Sequence, residues 1–100
     1  MRDNEATPIT ADQRFVPAET VAAKVLESEM VFVELSAGEF FSANLMGTRI
    51  WDLFCQGLSV KEVVADLATR YAIATEQLEH DVQAFATALV GRGLLVRAPR

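Results

Sequence analysis

The chain has 100 residues, of which 51% are hydrophobic, and its formal net charge at pH 7 is −5. This length suits one domain, and the negative charge disfavours nucleic acid or an anionic membrane surface as a partner. The single cysteine, Cys55, excludes an internal disulfide, and no apolar run approaches the roughly 20 residues that span a bilayer. No apolar secretory segment follows the charged first residues, so the sequence predicts a soluble cytoplasmic protein.

The first 14 residues differ in character from the rest of the chain. Residues 1–14 are polar, include Pro8 and have no hydrophobic periodicity, which predicts a flexible N-terminal tail. Residues 15–97 then form one predicted domain, with Phe15 and Val16 packed against it before Pro17 ends any regular element.

Three segments with the composition of β-strands follow. Residues 21–26 and 30–35 are rich in apolar and β-branched side chains, and residues 39–43 contain Phe40 and Phe41. Residues 27–29 and 36–38 separate these segments and suit tight connections. The simplest arrangement is a three-stranded antiparallel meander.

The hydrophobic period then changes to that of α-helices. Asn44 can cap the first helix, and Gly57 ends it. Ser59 and Glu62 have the spacing of a capping box for the second helix, and the third runs from near Thr75 to residue 92. Leucine and valine at residues 94–96 can dock back on the domain. Three strands followed by three helices predict an α+β, winged-helix-like domain.

Side chains suited to catalysis or metal binding are few. His80 lies between two acidic residues on the third predicted helix, which is typical of a solvated helix face rather than of an acid–base pair. Cys55 has no cationic neighbour that would lower its pKa, and we expect it to be a small buried residue. One histidine and one cysteine are too few for a zinc site. We predict no catalytic residue, no metal and no cofactor, and therefore no enzyme.

The winged-helix shape raises the question of DNA binding. The N-terminal residues of a recognition helix contact base edges in the major groove, and residues 36–39, the wing, contain no Lys or Arg. Carboxylates on the helix would repel phosphates, so nucleic acid is not an expected partner. The residues concerned are Glu76, Gln77, Glu79, His80 and Asp81.

The third predicted strand has an edge suited to pairing with a peptide. Its sequence, Glu39-Phe40-Phe41-Ser42-Ala43, lacks the Lys or Pro that usually protects a free edge. An extended peptide can add to such an edge as a further strand. Alternatively, the two phenylalanines are ordinary packing residues, and at least one of them must face the core because neighbours in a strand point to opposite sides.

The same region resembles the PqqD-like proteins. Residues 37–44, followed by residues 47–53, are similar to that family's signature "G-x-Y/F-F-x-L-N-x-x-G-x-x-I-W-x-L", and residues 89–95 are similar to its closing "L-x-x-R-G-L-L". The resemblance covers residues 20–96. It departs at Ala43, where the family usually has Leu, and at Leu45-Met46, which replaces a step containing proline.

The resemblance implies a non-catalytic chaperone that binds the leader of a ribosomally made precursor peptide. The leader lies as an added strand on the third strand and against the last helix, and a separate enzyme, such as a radical SAM protein or a leader peptidase, modifies the precursor. Because the "L-Y-P-E" segment of the PQQ-pathway proteins is missing, a lasso-peptide system fits as well. The implied peptide-binding residues are Glu39, Phe40, Phe41, Ser42, Ala43, Asn44, Leu78, Asp81, Val82, Phe85, Ala88 and Leu89.

Two other interpretations remain open. The chain could be a winged-helix regulator that binds DNA or another protein. It could also be a structural subunit whose free strand edge pairs with that of a second copy in a homodimer.

Overall fold

The computed structural model describes residues 9–27, 29–36 and 38–98. The prediction of a flexible tail falls partly on residues 1–8, which lie outside the described residues. In the described part, three antiparallel strands of one sheet precede three helices, which confirms the predicted α+β, winged-helix-like order. The elements are β1 (Phe15–Pro17), β2 (Val21–Leu26), β3 (Glu29–Glu34), β4 (Glu39–Ala43), α1 (Leu45–Cys55), α2 (Val60–Arg70), α3 (Thr75–Gly91) and β5 (Leu95–Arg97).

The main sheet has the strand order β2-β3-β4, so β3 is its central strand. Met30 and Phe32 of β3 are buried, and their register partners on β4 are Ala43 and Phe41. The Phe32 ring meets Trp51 of α1 edge to face, with 4.6 Å between ring centroids. This side of the sheet therefore packs on the helices.

The helix caps were predicted from local sequence, and the structure confirms them. Asn44 Oδ1 accepts a hydrogen bond from the Gly47 N–H at 2.9 Å at the start of α1. Ser59 and Glu62 form the reciprocal capping box at the start of α2. Gly57, just beyond α1, has φ +93°, a conformation that glycine adopts without strain.

A second, two-stranded sheet was not predicted as such. β1 pairs antiparallel with β5, which realises the expected docking of residues 94–96. Phe15 is buried there and lies edge to face on Phe54, with 5.0 Å between centroids. The residues just before β1 lie along α2, where the Val60 N–H donates to Gln13 O at 3.0 Å and the Lys61 N–H donates to Ala11 O at 2.9 Å.

His80 and Cys55, both on helices, were predicted to be exposed and buried, respectively. His80 is exposed on α3, as expected. Cys55 is exposed near the end of α1, so its predicted burial is wrong: it is the last residue of the helix and is not among the residues that the helix buries. None of the helices in the described part is long and apolar enough to cross a membrane.

Candidate peptide-binding groove

The backbone of β4 has one edge without a strand partner among the described residues. The sheet register determines which groups point to that edge. The Leu35 N–H donates to Thr20 O at 2.7 Å, which continues the β2–β3 ladder and places the odd-numbered residues of β3 in hydrogen-bonded pairs with β2. Since hydrogen-bonded and non-hydrogen-bonded pairs alternate in an antiparallel ladder, the even-numbered residues of β3 bond to β4.

This alternation leaves two residues of β4 with free backbone groups. The partners of the even-numbered β3 residues are Glu39, Phe41 and Ala43, so these three bond inward to β3. Phe40 and Ser42 therefore direct their N–H and C=O groups to the open edge. An added strand could form four backbone hydrogen bonds with them.

A groove lies between this edge and α3. It consists of two cavities that share Ser42 and Phe85, and we call it the β4–α3 groove. The smaller cavity has a volume of about 200 Å³ and is lined by Phe32, Phe41, Ser42, Phe85, Ala88, Leu89 and Arg92. The larger has a volume of about 370 Å³ and is lined by Ser42, Ala43, Asn44, Met46, Gly47, Ile50, Asp81 and Phe85.

The position of Phe85 at the centre of the groove depends on Gly47 of α1. A Cβ atom on Gly47 would lie 2.9 Å from the Ala43 Cβ and 3.1 Å from the Phe85 Cε1. These distances are shorter than normal van der Waals contact, so a larger residue would displace the ring or the strand. The glycine lets α1, β4 and Phe85 meet at one point.

Among the described side chains, each cavity is lined by one charged residue, and the two residues have opposite charges. Arg92 lines the smaller cavity, with its guanidinium Cζ 4.4 Å from the centroid of the Phe41 ring. Asp81 lines the larger one, where its carboxylate accepts a hydrogen bond from Gln77 Nε2 at 2.8 Å. Within residues 9–27, 29–36 and 38–98, neither side chain forms an ion pair.

The structure brings most of the predicted peptide-binding residues together. Glu39 begins β4, although its side chain is outside the described part. Phe40 lies on the opposite face of the sheet and is 72% exposed. The predicted residues that line the groove are Phe41, Ser42, Ala43, Asn44, Asp81, Phe85, Ala88 and Leu89.

Leu78 and Val82 are exceptions that correct the prediction. Both side chains are fully buried, at 0% exposure, so they support α3 from inside the core and offer no surface to a peptide. The apolar stripe of α3 is wider than the groove, and its inner part packs on the other helices.

Sequence reasoning missed several residues of the groove. Arg92 is the most informative of them, because it follows Phe85 by seven positions and Asp81 by eleven and so lies on the same helical face. The sequence spacing of these three residues could therefore have indicated that Arg92 lies on the groove face of α3. The other missed residues are Phe32, Met46, Gly47 and Ile50, which line the cavities from β3 and α1.

The residue types in the groove suit binding better than bond-making chemistry. The described residues that line it include no histidine, cysteine or lysine, and they offer apolar surface, backbone hydrogen-bonding groups and two charges. In the described part of the chain, no group of three or more His, Cys, Asp or Glu side chains could hold a metal ion.

Two solved structures are similar to this chain over most of its length. One, described as TbiB1 in complex with the TbiA(beta) leader peptide, has a TM-score of 0.78 and 26% identity, and the match covers 85% of this chain and 99% of that one. The other, a lasso peptide synthetase B1 complexed with the leader peptide, has a TM-score of 0.79 over 83% of this chain and 98% of that one. Its identity is 22%, so this second likeness shows the fold alone.

Sequence comparison identifies the family. No curated protein gives a significant match to the chain. The family model described as coenzyme PQQ synthesis protein D (PqqD) matches residues 29–95, which is more than half of the chain. The chain therefore belongs to the PqqD family.

Proposed function

We propose that this chain is a non-catalytic, cytoplasmic peptide chaperone. It binds the leader of a ribosomally made precursor peptide as an added strand on β4 and presents that precursor to a separate modifying enzyme. The observation that carries the proposal is the open edge at Phe40 and Ser42 beside an apolar groove. Family membership and the leader peptide named for the similar structure with 26% identity support it.

The contacts available to an added strand are sufficient for micromolar affinity. Four backbone hydrogen bonds contribute about 1 kcal/mol each, which offsets part of the cost of association. One or two apolar side chains of the leader, buried in the two cavities, would add about 1.5–3 kcal/mol apiece. These terms support micromolar affinity, and the cavity contacts set most of it.

The modification itself requires another protein. In this proposal the groove only binds the leader through its apolar surface, strand edge and two charges, and the chemistry on the precursor belongs to a partner such as a radical SAM enzyme or a leader peptidase. The leader is held at β4, and the part of the precursor beyond it remains available to that partner.

A titration with a matched pair of proline variants tests the proposal. The probe is a fluorescein-labelled leader of a candidate precursor chosen from the gene neighbourhood, and its anisotropy is followed as the protein is added. Ser42→Pro removes an outward N–H without removing a bond to β3, and we expect it to weaken binding at least tenfold. Ala23→Pro places a proline at the equivalent outward position on the opposite edge, at β2, and should bind normally.

Normal binding by a folded Ser42→Pro variant would show that the leader does not add to β4. No binding by the wild-type protein would reject leader recognition altogether. Size-exclusion chromatography and a DNA titration would then test the self-association and regulator alternatives.

A further inference from the structure

We infer that the β4–α3 groove selects leaders by an ordered pair of charges, with a basic residue four or six positions before an acidic one. The inference rests on the proposed function and specifies which leaders this groove accepts. Its basis is the placement of Asp81 and Arg92, which line the groove from the same face of α3.

The two charges are available to a ligand. Among the residues whose side chains the structure describes, Asp81 is the one charged residue that lines the larger cavity, and Arg92 is the one that lines the smaller cavity. Within the described ranges, neither has an ion-pair partner. A peptide in the groove therefore faces an unpaired carboxylate at one end and an unpaired guanidinium at the other, and complementary side chains would satisfy both.

The spacing follows from the geometry of helix and strand. A helix rises about 1.5 Å per residue, so Asp81 and Arg92 are about 16 Å apart along α3. An extended peptide advances about 3.3 Å per residue and covers that distance in about five residues. Side chains on one face of a strand recur every second residue, which restricts the separation to four or six.

The order follows from the direction of β4. Its end at Ala43 lies beside Asp81, whereas Phe41 lies beside Arg92. All pairings in this sheet are antiparallel, and antiparallel pairing is the more stable kind. An added strand that continues the pattern has its N-terminal part near Asp81 and its C-terminal part near Arg92. The basic residue therefore comes first.

An apolar residue belongs between the two charges. The peptide residue opposite Phe41 points to the same side of the sheet as that ring, and Phe85 is common to both cavities. The accepted pattern is thus basic, apolar, acidic at alternate positions, or the same pattern extended by two residues. Because the charged groups are partly exposed, each pair contributes a factor of up to about five in affinity.

Selection from a peptide library tests the inference without knowledge of the natural precursor. The probe is a phage-displayed library of random 12-residue peptides, selected on the folded wild-type chain and on Ser42→Pro to identify binders that need the β4 edge. We expect those binders to be enriched in Lys or Arg four or six positions before Asp or Glu. Peptides selected on the double variant Asp81→Lys with Arg92→Glu should have the opposite order, with the acidic residue before the basic one.

A second double variant provides the matched control. Glu79→Lys with Lys24→Glu makes the same two reversals and leaves the net charge unchanged, but neither residue lines the groove. Selection on this control variant should enrich the same peptides as selection on the wild-type chain, with the basic residue before the acidic one. Circular dichroism checks the folding of each variant. Anisotropy titrations of the wild-type chain with two synthetic peptides test the order directly. The peptides differ only in that the basic and the acidic residue are exchanged, and their Kd values should differ by about five- to twentyfold.

Binders that depend on the β4 edge but have no charge order, or the opposite order, would overturn the inference and leave the proposed function intact. An unchanged pattern on the folded charge-swapped variant would also overturn it. A library that yields no binder dependent on the β4 edge would reject the proposed function together with the inference.

Discussion

The Arg92 guanidinium lies over the Phe41 ring, with 4.4 Å between Cζ and the ring centroid. Arg92 is the C-cap residue of α3 and Phe41 is the middle residue of β4, so this contact joins the two walls of the groove at its smaller cavity. A cation–π contact at a partly exposed site is worth about 0.5–1 kcal/mol. It holds the guanidinium in the cavity while leaving its hydrogen-bond donors available.

A double-mutant cycle measures this contact. Phe41→Leu and Arg92→Gln, made singly and together, should give a coupling free energy of unfolding of about 0.5–1 kcal/mol by urea denaturation. Phe41→Leu with Lys24→Gln, on the opposite edge of the sheet, is the control pair and should be additive. Additivity in the first cycle would show that the two side chains do not interact in solution.

Gly47→Ala should distort the groove from inside. Its Cβ would lie within 3.2 Å of two ring atoms of Phe85 and closer still to Ala43. We expect a loss of about 1–3 kcal/mol in the free energy of unfolding and weaker leader binding, measured by urea denaturation and anisotropy. Gly91→Ala is the control, because nothing lies within 4 Å of its added Cβ, and alanine in the helix should stabilise the protein by up to about 1 kcal/mol. Equal stability of the two variants would contradict the close approach.

The capping box at α2 makes stability depend on pH. The hydrogen bond from the Ser59 backbone N–H, followed by that from Arg14, lowers the pKa of Glu62 below its ordinary value of 4.5. The unfolded chain therefore takes up this proton first as the pH falls. The stability contributed by Glu62 is present above about pH 4.5 and is lost as the pH drops through the lower folded pKa.

Urea denaturation between pH 3 and pH 7 checks this dependence. Glu62→Gln keeps the side-chain geometry of a capping box but should flatten the loss of stability below pH 4.5. Glu79→Gln, on the exposed surface of α3, makes the same substitution outside the capping box and is the matched control. Parallel profiles for Glu62→Gln and the wild type would exclude Glu62 as the source.

Cys55 should be accessible but slow to react. Partial burial, followed by the nearby Asp52 carboxylate, raises the pKa of its thiol, so less thiolate is present at neutral pH than in free cysteine. The pH dependence of iodoacetamide alkylation should have its midpoint above that of a model thiol, and Asp52→Asn should shift the midpoint down. A midpoint at or below the model value would contradict this environment.

The elements that sequence predicted well depend on local chemistry. Asn44 and the pair Ser59 and Glu62 cap helices through hydrogen bonds over three residues, so a short sequence window contains the whole signal. The sheet of β1 and β5 could not be predicted in the same way. Each strand has three residues, too few to show an alternation of apolar and polar side chains. Phe15 also pairs with Arg97, which lies at the opposite end of the domain's sequence.

The candidate site was predictable in outline but not residue by residue. Phe85 and Val82 belong to one apolar stripe of α3, yet Phe85 lines the groove and Val82 is fully buried. Tertiary packing determines which part of the stripe faces the core. The sequence pattern of the stripe does not show which part that is. Arg92 shares the groove face of α3, and its spacing from Phe85 indicates that face, but its contact with the Phe41 ring depends on how α3 packs against β4.

Amide hydrogen exchange tests strand addition at β4 most directly. The rates for Phe40 and Ser42, whose N–H groups point to the open edge, should fall at least tenfold when saturating leader peptide is added. The rate for Ala23, at the equivalent position on the β2 edge, should not change. Saturable binding that leaves the Phe40 and Ser42 amides unprotected would contradict the account, because the peptide would then be held somewhere other than the β4 edge.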